Sequence, residues 1–364
     1  MRASVRGVLT RFARRAEEAE NAARVPEESL RELEEIGIHR FLEPRDLGGY
    51  ELPFGSFFSI ISEIASACGS TAWTFMLFSV HAWGVQFAPA SVRDMLYTNG
   101  SPGRLATVFR NAGTLRRDSV GYRLDGVWPF ATGAHLADFI AVKATLVGEG
   151  DFHVYLRPDQ IAVRSDWLAL GLEATASHSI EADAVAISTA QVVSDTAMQK
   201  AFAERVAQAS SHVAPVPAVV SLGTVAPILG MTRACVNAYE QTLRARASLS
   251  EVSAAASERL ARMRTELKAM DLLYRESVTV LDARIPGRTL SDEAIVSLSM
   301  HASWIARGCR NLVNELLGAC GTRTLSSPNA MRRHATGVMV LSTHYLVDYD
   351  AASTQYGGLL VRRN

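Results

Sequence analysis

The chain has 364 residues, 48% hydrophobic and 20% charged, enough to bury a substantial core and to form two or three domains. Lys plus Arg and Asp plus Glu number 37 each, so the net charge is zero and the electrostatic footprint of a nucleic-acid binder is absent. The four cysteines, Cys68, Cys235, Cys309 and Cys320, are scattered with no CxxC pair, which argues against a zinc site and a disulfide framework and fits a reducing cytoplasm.

The opening stretch MRASVRGVLTRFARRAEEAE lacks the apolar run of a secretory signal, and its mixed charges predict a solvated amphipathic helix. Apolar positions recurring at three and four residues (Leu30, Leu33, Ile36; Phe57, Ile60, Ile61, Ile64) predict a helical N-terminal domain over residues 1 to 103, with loops at EPRDLGGYELPFG and TNGSPG. Two uncharged runs, residues 64 to 90 and 213 to 231, raise the question of a membrane span. The Gly, Ser, Thr, Cys and His81 of the first, and Pro215, Pro217 and Pro227 of the second, mark buried core helices instead.

From 104 to 196 the period changes to two, which predicts an all-β middle domain. VGYRLDGVWPF reads as strand, turn at Asp125 and Gly126, strand; DFIAVKATLVG, DFHVYLRP and ADAVAISTAQVV supply further strands. Helical period returns over 197 to 364, in segments 199 to 249, 251 to 283, 291 to 318 and 328 to 356, and predicts an antiparallel four-helix bundle.

No GxGxxG opens a helix after a strand, no GxxxxGK(S/T) is present and no GxSxG elbow nominates a serine nucleophile. His81 and His344 both stand in apolar surroundings, where an imidazole serves either as a hydrogen-bonded core group or as a proton-transfer group. His135, His178, His212, His301 and His334 show no metal-ligand spacing with one another or with cysteine. In GVWPFATGAHLAD, Trp128 and Phe130 alternate on a strand, so both rings face one side, while Thr132 and Gly133 bring a hydroxyl and free backbone amides close by. A planar aromatic heterocycle suits that loop; so does a hydrophobic sheet face ending in a turn.

The helix, β-domain, helix-bundle order, together with GYRLDGVWPFATGAHLADFIAVKATL, resembles the acyl-CoA dehydrogenase superfamily. More narrowly, GSTAWTFMLFSVHAWGVQFAPASVRDMLY resembles its two-component flavin-dependent monooxygenases, whose oxygenase components act on hydroxyphenylacetate, steroid phenols, dibenzothiophene and amino sugars. The resemblance implies an α+β fold with an N-terminal helical domain, a middle β-barrel domain and a C-terminal four-helix bundle. It implies His81 and His344 as active-site histidines, Trp73 as a pocket wall, Thr107 as a hydroxyl beside the flavin, Thr132 as partner of the flavin N5, and Phe130 as its stacking ring. Trp128 and Gly133 belong to the same cofactor segment, and Arg246 stands where relatives direct an arginine at a cofactor phosphate. Thr336 and Gly337 replace the Arg-Asp pair that precedes the family's last histidine.

The implied reaction uses reduced flavin (FMN or FAD) and dioxygen through a C4a-(hydro)peroxyflavin to hydroxylate or oxidise a small aromatic, polycyclic or natural-product substrate. Reduced flavin would come from a separate NAD(P)H-dependent reductase, since the chain lacks a nicotinamide-binding motif. A homotetramer is implied as well, in agreement with the apolar stretch 213 to 231 needing burial. The alternative is a dehydrogenase-like flavoprotein acting on a non-fatty-acyl substrate. Fatty acyl-CoA dehydrogenation itself needs a carboxylate base. The two usual base sites fall at about Tyr345 and Ala247, and the nearest acids, Glu240 and Glu315, read as solvated.

Overall fold

A computed structural model of the chain describes residues 2–98, 101–208, 213–248, 252–283, 290–322 and 329–362; His212 and part of the TNGSPG loop lie outside the described residues. Helices α1 (Arg2–Asn21), α2 (Glu27–Glu35), α3 (Phe54–Ala65), α4 (Gly69–Gly84) and α5 (Ala90–Leu96) form the N-terminal part. The first uncharged run becomes the end of α3 and all of α4. Because α4 carries apolar or small residues on every side, it is covered all round, and only Leu77 and Gly84 are partly exposed.

Seven strands follow: β1 (Leu105–Asp118), β2 (Gly121–Trp128), β3 (Phe139–Leu146), β4 (Gly150–Leu156), β5 (Ala162–Val163), β6 (Ile180–Ile187) and β7 (Val192–Ser194). They form one mixed sheet in the order β5-β6-β2-β1-β3-β4-β7, in which β1 and β3 run parallel and the other neighbours antiparallel. The expected turn at Asp125 and Gly126 is absent, since β2 runs straight through it. The β1–β2 hairpin instead closes at Asp118 and Gly121, where the Asp118 carboxylate accepts from the Ser119 amide (2.6 Å) and pairs with Arg123 (2.7 Å). Asp125 has a different task. Its Oδ1 accepts from the Ala184 amide (2.9 Å) where β6 shifts register against β2, so the Asp-Gly pair marks a bulge in the neighbouring strand.

The C-terminal part contains α6 (Asp195–Ala207), α7 (Val216–Ala247), α8 (Ala254–Asp282), α9 (Asp292–Cys320), α10 (Ala330–Leu341) and α11 (Tyr349–Val361). Two expected helices are therefore broken. The first ends before Pro215 and Pro217, and α7 starts afresh with proline in its first turn, where the missing N–H costs nothing. The last is interrupted between α10 and α11 by a 3-10 turn, Tyr345–Val347, with His344 and Asp348 capping the new starts through their side chains.

Helix α7 is long and apolar enough to cross a membrane, yet 89% of its most apolar window is buried inside this chain, against α3, α4, α8, α9 and α10. Its apolar run therefore needs no neighbouring subunit for burial, contrary to the expectation from sequence.

Candidate active site

Strand β2 ends at Trp128, whose ring is 0% exposed and whose indole N–H donates to the Lys143 carbonyl (2.8 Å). Had the strand continued, Phe130 would share that face. Instead Phe130 adopts φ +64°, a conformation rare for an aromatic residue, and its ring is 65% exposed, meeting Trp167 edge-on at 6.2 Å. The two rings thus point to different environments: Phe130 offers a surface to a ligand, and Trp128, sealed in the sheet core, has none to offer.

Gly133 sits at φ +70°, and a Cβ there would lie 2.7 Å from Phe78 and 3.0 Å from Thr74, so α4 presses directly on the loop. The amides expected to be free are already used: Ala131 donates to the His178 carbonyl (2.9 Å), Thr132 to Phe130 (3.0 Å) and Gly133 to Thr175 (3.1 Å). The Thr132 hydroxyl is 2.8 Å from that of Ser177, which is 2.9 Å from that of Thr175, while both ring nitrogens of His135 in the same loop are buried without a hydrogen-bond partner.

His81 is 7% exposed, and its Nδ1 lies 3.0 Å from the Leu105 carbonyl. A carbonyl only accepts, so Nδ1 carries the proton and Nε2 is left as a bare lone pair. Burial holds its pKa down to about 4, hence the ring is neutral at pH 7. The ring also meets Phe109 edge-on at 5.8 Å. Thr107, half-buried, lies on β1 between Leu105 and Phe109 and shares their strand face by the two-residue period. His81 and Thr107 are thereby brought to the starting end of β1, the central strand of the sheet.

His344 lies outside any α-helix, in the break after α10. Its Nδ1 accepts from the Leu346 amide (3.3 Å), which leaves the proton on Nε2, and burial again holds the pKa to about 4. Its ring packs against Trp73 at 5.4 Å and Tyr345 at 4.7 Å. Trp73 and His81 stand eight residues apart on α4, about 12 Å along its axis, so the two imidazoles flank a stretch of helix without touching.

Arg246 is not brought to this place. It is exposed on the last turn of α7, fifteen residues and about 22 Å along the helix from the level of Met231, which packs between Gly69 and Gly337. Ser177 and Thr175, which hold Thr132, were not singled out from the sequence; their only trace is a Thr-x-Ser in a loop after Gly171. The dehydrogenase alternative gains no base: Glu240 pairs with Arg244 (2.5 Å) and Arg264, and Glu315 with Arg262 and Arg259 (3.6 Å).

A cavity of about 410 Å³ opens beside α4, lined by Phe75, Phe78 and Ser79 together with Glu34, Glu43 and Arg104. None of the expected site residues lines it, and its charged wall does not suit a flat heterocycle. The Glu43 carboxyl there is buried with neither oxygen partnered, and burial pushes its pKa up to about 8.

Comparison with known proteins bears on this geometry. Two family models match, "Acyl-CoA dehydrogenase, N-terminal domain" over residues 1–88 and "Acyl-CoA dehydrogenase, C-terminal domain" over residues 222–349. Among curated proteins, the chain is 28% identical over 238 residues to "Flavin-dependent monooxygenase, oxygenase subunit HsaA" of Rhodococcus jostii (strain RHA1), a match that spans 64% of this chain and 62% of that protein. It is 22% identical over 369 residues to "p-hydroxyphenylacetate 3-hydroxylase, oxygenase component" of Acinetobacter baumannii, covering 97% of this chain and 87% of that one. Among solved structures, XiaF from Streptomyces sp. in complex with FADH2 and glycerol superimposes with a TM-score of 0.90 at 19% identity, over 100% of this chain and 95% of that one.

Proposed function

We propose that this chain, which belongs to the acyl-CoA dehydrogenase superfamily, is the oxygenase component of a two-component flavin-dependent monooxygenase, taking reduced FMN or FAD and dioxygen to hydroxylate or oxidise a small aromatic, polycyclic or natural-product substrate. The observation that carries this reading is the Phe130 ring. It is two-thirds exposed at a left-handed φ, two residues before Thr132, whose hydroxyl is hydrogen-bonded to that of Ser177. An apolar ring held out at conformational cost, beside a hydrogen-bonding group, fits a flat heterocycle that covers it.

When bound, the reduced flavin supplies two electrons to dioxygen, so that one oxygen atom enters the substrate and the other leaves as water. The chain's own residues do the rest. Phe130 and Trp73 wall the ring and the substrate from solvent, and Thr132 and Thr107 place hydroxyls along the flavin edge. His81 offers a bare Nε2 that takes a proton from a phenol or similar donor, and His344 offers an Nε2–H that gives one. The curated names "oxygenase subunit" and "oxygenase component" support a separate reductase, NAD(P)H-dependent in this reading, as the partner. Exposed Leu272, Trp304, Leu360 and Val361 on the bundle are the surfaces a homotetramer would cover.

The test is to mix the purified chain with a flavin reductase, NADH and FMN or FAD under air. The expected result is a transient near-ultraviolet band of a flavin–oxygen adduct, with slower release of hydrogen peroxide than without the chain. Flavin bleached anaerobically by an acyl-CoA would establish the dehydrogenase alternative, and no effect on either signal would overturn both.

A further inference from the structure

The hydroxyl groups under the Thr132 loop form a chain whose direction follows from proton counting. Thr175 Oγ1 is 2.8 Å from the Leu172 carbonyl, which only accepts, so the single hydroxyl hydrogen of Thr175 is committed there. The 2.9 Å contact between Ser177 and Thr175 must then carry the hydrogen of Ser177, donated to Thr175. The 2.8 Å contact between Thr132 and Ser177 must in turn carry the hydrogen of Thr132, donated to Ser177. Reversing any one bond leaves two lone pairs facing each other at hydrogen-bond distance, in a place where Thr175 is 1% and Ser177 5% exposed and water gives little relief. Thr132 therefore turns its lone pairs, and no hydrogen, toward the ligand side.

The segment that holds this chain is itself clamped. Leu172 and Ala176 take φ +59° and +43°, costly for side-chain-bearing residues, and bracket Thr175. Glu20, from α1, accepts from the Ala174 amide (2.7 Å) and from the Ser70 hydroxyl at the start of α4 (2.6 Å). Gly337 of α10 lets Leu172 approach; a Cβ there would lie 3.2 Å from Leu172 Cδ2 and 2.7 Å from Met231 Sδ.

We infer that Ser177 and Thr175 are positioning residues that fix the Thr132 hydroxyl as an acceptor, so that the site prefers a flavin carrying a hydrogen on N5, the reduced form, over the oxidised form, whose N5 is itself an acceptor. The inference rests on the flavin reading of the site and deepens it. Removing the relay frees the Thr132 hydrogen to rotate toward an oxidised N5, which raises affinity for oxidised flavin relative to reduced.

The experiment measures dissociation constants for oxidised FMN and FAD by fluorescence quenching and for the reduced forms by anaerobic titration. It uses the full chain, Ser177→Ala, Thr175→Val and the conservative Thr175→Ser. The expected result is a reduced-over-oxidised preference in the wild type that falls about tenfold, or about 1.4 kcal/mol, in Ser177→Ala and Thr175→Val and is restored in Thr175→Ser. General damage to the loop would weaken both redox forms together and leave the ratio alone. An unchanged ratio in both removing variants, with flavin still bound, overturns the relay and leaves the flavin site standing. Failure of the wild type to bind either form overturns the flavin reading and the relay with it.

Discussion

His81 and His344 are held in opposite tautomers by main-chain groups alone, a carbonyl for one and an amide for the other. Each folded pKa, about 4, lies below the ordinary 6.5, so the neutral ring's contribution to stability is complete above pH 6.5 and is lost as pH falls through 4. Thermal midpoints should accordingly be flat between pH 7 and 8.5 as far as these groups are concerned and drop below pH 6. His81→Gln, which cannot charge, should show the shallower drop by several degrees in scanning calorimetry. Under the proposed function, His81→Ala and His344→Ala should each cut product formed per NADH by roughly tenfold or more while oxygen uptake continues. Full coupling in both variants would remove these histidines from the mechanism. Their residue types were legible in the sequence because an imidazole among uncharged neighbours is conspicuous. Their tautomers were not, since each is set by a backbone group whose position depends on the fold.

The loop from Gly171 to His178 shows how elements far apart in sequence hold one short segment. It is seated on α1 through Glu20, on α4 through Ser70 and Gly69, and on α10 through Gly337. Burial, against the hydrogen bonds from Ser70 and Ala174, raises the Glu20 pKa from 4.5 to about 7. A raised carboxyl pKa contributes stability that is full below pH 4.5 and lost as pH rises through 7, so this clamp weakens from about pH 4.5 to just above 7. Glu20→Gln should flatten that part of the profile, with a difference between the two proteins of about 1 to 3 kcal/mol across the window, read from denaturant midpoints at each pH. Thr336 and Gly337 also acquire a reason at this scale. Thr336 folds its hydroxyl back on the Arg332 carbonyl (3.0 Å), and the bare Gly337 admits Leu172 and Met231. Gly337→Val should cost about 1 to 3 kcal/mol by overpacking and weaken flavin binding through the displaced loop, measured as a lowered thermal midpoint together with a raised dissociation constant.

Across the whole molecule, α4 and α7 form a shared axis: α4 is buried on nearly all sides, and α7 spans from the α3–α4 contact to the end of the bundle. The sheet leans on that axis through the Thr132 loop, where Gly133 meets Phe78 and Thr74 of α4. Binding there should tie the two together. Saturating reduced flavin at about a hundred times its dissociation constant should stabilise the folded chain by about 2.7 kcal/mol, seen as a raised anaerobic thermal midpoint, and no shift would show that the ring binds elsewhere or not at all.

Composition and period by themselves determined the order of helical, β and helical parts and the central place of the uncharged α4, because burial preference and side-chain periodicity are local quantities written along the chain. Tertiary structure alone decided that Trp128 is sealed while Phe130 stands out, that Asp125 and Gly126 mark a bulge and not a turn, that the last helix breaks at His344, and that Ser177 and Thr175 face Thr132. Each of those outcomes depends on which distant backbone group or side chain arrives at hydrogen-bond distance, and only the folded chain brings them there.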